Sequence, residues 1–118
     1  MSKDRASPTG HGMSHASLAI AERCKEILAE HYGPNLVGVV LYGSRARREH
    51  DDESDLDLLV LLREPFSTLQ EVWKIATLLY PLQSEIDYVV SAIPVPEADY
   101  DSGAIQLYRN ARAEGIAV

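Results

Sequence analysis

Three features of the sequence predict a small mixed domain of the α/β (α+β) class. Apolar residues recur at helical spacing in well-separated stretches, short and almost wholly apolar β-rich runs lie between and after them, and a turn signal accompanies most changes of period. The resulting order is helix, strand, small turn, strand, helix, strand, helix. At 118 residues the chain suits one compact core rather than two.

The first helix is expected over residues 15–32, where Ile20, Cys24, Ile27, Leu28 and His31 recur at helical spacing and Gly33-Pro34 stops the run. LVGVVLY (36–42) and LDLLVLL (56–62) read as central strands. A second helix is expected over 66–80 from the stripe Leu69, Val72, Trp73, Ala76, Leu79 and Tyr80, with Pro81 as its limit. EIDYVVSA (85–92) reads as a third strand, residues 94–96 as a loop, and a last helix covers 104–113 before Gly115. Residues 1–14 mix Lys, Asp, Arg, Pro, Gly, His and Ser without periodicity, so they read as a disordered leader to a single domain over 15–118.

Composition excludes several function classes. The chain carries a net charge of −7 and a pI near 4.9, whereas a grip on long nucleic acid needs a cationic surface that displaces counterions from phosphates. No run approaches the ~20 apolar residues that span a bilayer. The single cysteine, Cys24, has no partner for a disulfide within the chain and falls in the first helix, so a reducing cytoplasm is the expected compartment.

The stretch LYGSRARREHDDESDLDLLV (41–60) carries the chemistry. On a strand, Asp55 and Asp57 point the same way with Cα atoms about 6.5 Å apart, while Leu56, Leu58, Val60 and Leu62 take the other face. Two neighbouring carboxylates at a strand end repel and lose hydration unless a cation compensates, and hard oxygen donors suit Mg²⁺, which completes its shell with water and substrate phosphates. Gly43-Ser44 supplies the phosphate side: a strand ending in Gly and turning toward a helix start leaves backbone N–H groups aimed at an anion. Ser44 can donate to a phosphate, and Arg45, Arg47 or Arg48 can add charge-assisted bonds. Asp87, in an otherwise apolar run, is a candidate third carboxylate that would ligate metal and act as base. The arginines also read as a solvated face paired with Glu49, Asp51, Asp52 and Glu53. The four histidines lack ligand spacing, and Trp73, Tyr80 and Tyr108 read as packing residues of a core or an interface.

Gly43-Ser44, ten intervening residues, Asp55-Leu-Asp57 and a later Asp87 together resemble the nucleotidyltransferase superfamily that includes DNA polymerase β, and more closely the minimal nucleotidyltransferases (MNT) paired with HEPN toxins. The closing LYRNARAEGIAV is similar to the last helix and Glu-Gly ending of those proteins. The resemblance implies a small mixed or antiparallel sheet with helices mainly on one face. It also implies Mg²⁺, as two ions, on Asp55, Asp57 and Asp87, with ATP phosphates at Gly43 and Ser44. The implied activity is transfer of AMP from ATP to a tyrosine of a HEPN toxin, within a homo- or hetero-oligomer. Arg48 stands where relatives often have Gly, which bears on the loop shape. Antibiotic nucleotidyltransferases, which carry a further helical domain, and a non-catalytic module that masks a toxin are the alternative readings.

Overall fold

The computed structural model describes residues 15–43, 45–46 and 55–118. The expected leader therefore lies outside the described residues. Helix α1 (His15–Tyr32) ends where Gly33 takes φ +56°, a left-handed conformation that costs glycine nothing, and Pro34 follows in a single 3₁₀ turn. Strands β1 (Leu36–Tyr42) and β2 (Leu56–Leu62) have the bounds the sequence predicts. They pair antiparallel from Leu36↔Leu62 to Tyr42↔Asp57. Helix α2 (Thr68–Gln83) then carries the chain back to β3 (Val90–Pro96), which runs parallel to β2 from Leu56↔Val90 to Leu62↔Pro96. Two short helices, α3 (Glu97–Ser102) and α4 (Gln106–Glu114), precede β4 (Ile116–Ala117), which pairs with β1. The described residues thus form a mixed four-stranded sheet in the order β3-β2-β1-β4.

Alternation along β2 divides the core in two. Leu56, Leu58, Val60 and Leu62 face Ala21, Cys24 and Leu28 of α1 and Ile75, Leu79 and Leu82 of α2, and all of these are buried. Leu59 and Leu61 face the other way, where Val40, Val95 and Ala111 of α4 cover them. The two long helices therefore share one face, and the short pair shields part of the other. Cys24 is buried, and burial pushes its thiol up to about 11. No helix among the described residues is long and apolar enough to cross a membrane.

The structure corrects three expectations. The stripe expected to bury α2 points mostly to solvent: Leu69, Trp73 and Tyr80 are each 70% exposed. Leu79 of that stripe is buried, and Ile75 and Leu82 join it, with Glu71, whose Oε1 accepts from Tyr32 Oη at 2.7 Å. This helix is apolar on two sides, so period alone does not decide which side the sheet takes. Pro81, read as the limit of that helix, lies inside its last turn, where it forgoes one backbone donor and burial of Leu82 favours one more turn.

The third correction is the shift of the last strand from 85–92 to Val90–Pro96. Gln83 explains it: Nε2 donates to the Tyr88 carbonyl and Oε1 accepts from Val90 N–H, each at 2.7 Å, so a side chain takes up groups that a longer strand would pair. Pro94 and Pro96, read as a loop, fit within β3 because it is an edge strand.

Candidate functional site

The polar end of the sheet is built from the last residues of β1 and the first of β2. Asp57 stands directly opposite Tyr42 in the ladder, on the face that α4 partly covers, and Asp55 is exposed just before β2 begins. Partial burial, and then the charge of Asp55, hold the Asp57 carboxyl above the usual carboxylate range. Burial, and then Asp57, likewise raise the Tyr42 phenol. A divalent cation would relieve both effects, so this donor set fits a hard metal ion.

Gly43 closes the strand at φ +79°, and a Cβ placed there would stand 2.5 Å from Asp57 Oδ2. The carboxylate therefore lies against the glycine backbone, a contact that any side chain would disturb. Ala46 N–H donates to the Gly43 carbonyl at 3.2 Å and closes the turn that begins there. Ser44 and Arg47, the other predicted phosphate-side residues, lie outside the described residues, as does Arg48.

Arg45 is only 4% exposed. Its Nη1 donates to Ser17 Oγ of α1 at 2.8 Å, and its guanidinium lies 3.8 Å from the centroid of the Tyr88 ring. Arg45 thus joins the Gly43 turn both to α1 and to the 84–89 segment. Ser17 and Tyr88 were not singled out from the sequence. Ser17 had a signal: with Ala21, Cys24 and Leu28 it continues the buried stripe of α1, where a hydroxyl needs a partner.

Asp87 is exposed and sits in the bend before β3 rather than on a strand. Among the described residues no three His, Cys, Asp or Glu side chains come together as a metal-holding group, so Asp87 does not cluster with Asp55 and Asp57 in this conformation.

Solved structures share the fold. A protein of Sulfolobus solfataricus provisionally described as a nucleotidyltransferase matches with TM-score 0.55 and 23% identity, covering 91% of this chain and 89% of that one. A chain of a mutant MntA-HpeT toxin–antitoxin complex matches with TM-score 0.53 and 20% identity, covering 82% and 70%. In sequence, a Methanocaldococcus jannaschii protein provisionally named a protein adenylyltransferase is 40% identical over 55 residues, 47% of this chain. That alignment spans only 54% of the relative. The nucleotidyltransferase domain profile matches residues 21–109, a stretch that contains the Gly43 turn, both carboxylates of the β2 end and Asp87. Fold, motif and profile agree: this chain belongs to the nucleotidyltransferase domain family.

Proposed function

We propose that the domain transfers AMP from ATP to a hydroxyl, that the acceptor is a tyrosine of a HEPN toxin, and that the domain thereby acts as an antitoxin. The observation that carries this reading is the packing of Asp57 against Gly43, which sets a carboxylate pair beside a turn suited to phosphate. The relative named as a protein adenylyltransferase supports a protein acceptor, and the toxin–antitoxin neighbour supports a toxin as that protein.

In this reading Asp55 and Asp57 would hold Mg²⁺, as two ions, and the metal would supply charge neutralisation at the phosphates and at the attacking oxygen. Gly43 lets the backbone approach the phosphates, and Ser44 and Arg47 bond to them. Arg45 serves the nucleotide by holding the turn. The acceptor oxygen forms a bond to the α-phosphorus, the bond from that phosphorus to the bridging oxygen breaks, and pyrophosphate leaves. Asp87, brought in from the 84–89 segment, takes the hydroxyl proton and completes the ligand set.

The test is incubation of the protein with Mg²⁺, α-labelled ATP and a HEPN toxin. Label is expected on a toxin tyrosine, and none with Asp57→Asn. Label on an aminoglycoside instead, or toxin silencing that survives loss of both Asp55 and Asp57, contradicts the proposal.

A further inference from the structure

Beside the Gly43 turn lies a cavity of about 200 Å³ lined by Tyr42, Gly43, Leu107, Asn110, Ala111 and Glu114. One wall is strand β1 and its turn, and the other is α4. That second wall is firmly seated. Ala111 is 3% exposed against Val40, and a Cβ at Gly115 would meet the Ala111 carbonyl oxygen, Val40 Cγ1 at 2.8 Å and the Leu41 carbonyl oxygen at 3.0 Å. The end of α4 therefore rests directly on β1, which fixes the distance between Leu107, Asn110 and the site.

We propose that this cavity takes the nucleoside of the triphosphate, with an adenine base against Tyr42 and Leu107 and its polar edge read by Asn110. The proposal rests on the functional reading above and extends it to the base. Its lining separates the two ends of the ligand. Glu114 repels phosphate, so the cavity suits the uncharged base and sugar, while the phosphates lie on the Gly43 and Asp55 side. An aromatic ring and a leucine provide the apolar faces on which a base packs, and a primary amide carries the donor and acceptor pair that matches adenine. Gln106 Nε2 donates to Asn110 Oδ1 at 2.8 Å, one turn back on the helix, and so restrains the amide. Tyr42 faces Asp57 across the ladder, so one tyrosine borders both the nucleoside cavity and the carboxylate pair.

Isothermal titration with Mg²⁺-ATP, Mg²⁺-GTP and Mg²⁺-tripolyphosphate separates the parts. Wild type is expected to bind ATP about tenfold or more tighter than either competitor, the discrimination that an amide pair to adenine provides. Asn110→Leu, at an exposed position, should bring ATP down to the level of GTP. Leu107→Trp, which fills the cavity, should bring ATP down to the level of tripolyphosphate without weakening tripolyphosphate. Circular dichroism verifies folding, and Asn110→Leu alone decides the matter if Leu107→Trp does not fold. Equal wild-type affinity for tripolyphosphate and ATP overturns the cavity proposal, as does ATP affinity unchanged in the folded variants. Wild type that binds neither ligand overturns the functional reading itself.

Discussion

The two faces of β2 differ in what covers them. On one, Leu56, Leu58, Val60 and Leu62 meet two long helices and are essentially sealed from water. On the other, Leu59 and Leu61 are sealed by short elements, but Asp57 at the same strand's start remains half-buried beside an open cavity. Period-two alternation lets one strand serve both purposes, with stability concentrated on the first face and the proposed chemistry at the edge of the second. Substitutions should divide accordingly.

The largest effect on stability is expected at the sealed face. Leu58→Ala should lose about 3 kcal/mol by lost burial and an unfilled cavity, read by denaturant titration. A loss under about 1 kcal/mol would show that the helices relax onto the sheet more freely than the packing implies.

Next is Arg45, the tie between the faces' common edge and the rest of the chain. Arg45→Ala removes the hydrogen bond to Ser17 Oγ and the charge over Tyr88, so a loss of about 2 kcal/mol is expected, with weaker Mg²⁺-ATP binding. Tyr88→Phe keeps the ring and should bind as wild type. If Tyr88→Phe is as damaged as Arg45→Ala, the ring contact is not what matters.

Gly43→Ala is a smaller change with a specific victim. A left-handed alanine costs about 1–2 kcal/mol, and its methyl displaces the Asp57 carboxylate. Nucleotide affinity should therefore fall more than the melting temperature suggests. A variant that melts earlier but binds normally would place the phosphates elsewhere.

The smallest effect concerns the open face alone. The Asp57 carboxyl is raised by burial and then by Asp55, so its native pKa exceeds its unfolded one and the native chain holds the proton longer. Its contribution to stability is fully present below the ordinary carboxylate value and is lost as pH climbs through the raised one. Metal-free Asp57→Asn has no such proton to lose. Its melting temperature should equal wild type in acid and match or exceed it increasingly toward neutral pH. A variant that melts markedly lower at pH 7 contradicts the repulsion.

Much of this was legible in the sequence where the information is local. Helix α1 and strands β1 and β2 have clear periods bounded by Gly33-Pro34, Gly43 and the acids before Leu56, and their bounds agree with the structure. The Gly43 turn and the Asp55-Asp57 pair are likewise defined by adjacent residues. What escaped depends on distant partners. Which side of α2 is buried depends on the sheet, and the start of β3 depends on a Gln83 side chain that replaces strand pairing. Helix α3, with six residues, and β4, with two, are too short to show a period. Arg45 was read as a phosphate ligand candidate, but its hydrogen bond to Ser17 and its contact with the Tyr88 ring join it to residues 28 and 43 positions away in sequence. Asp87 was legible as an unusual acid and not as a member of a bend.

The central claim is that Asp55 and Asp57 together hold the metal of a metal–nucleotide complex. Titration of Mn²⁺ in the presence of α,β-methylene-ATP tests it most directly, comparing wild type with Asp55→Asn, Asp57→Asn and Asp87→Asn. The account predicts at least a tenfold loss for each of the first two, as for removal of a charged oxygen ligand at about 1.4 kcal/mol or more, and a smaller loss for Asp87→Asn. Wild-type affinity in Asp57→Asn would contradict it.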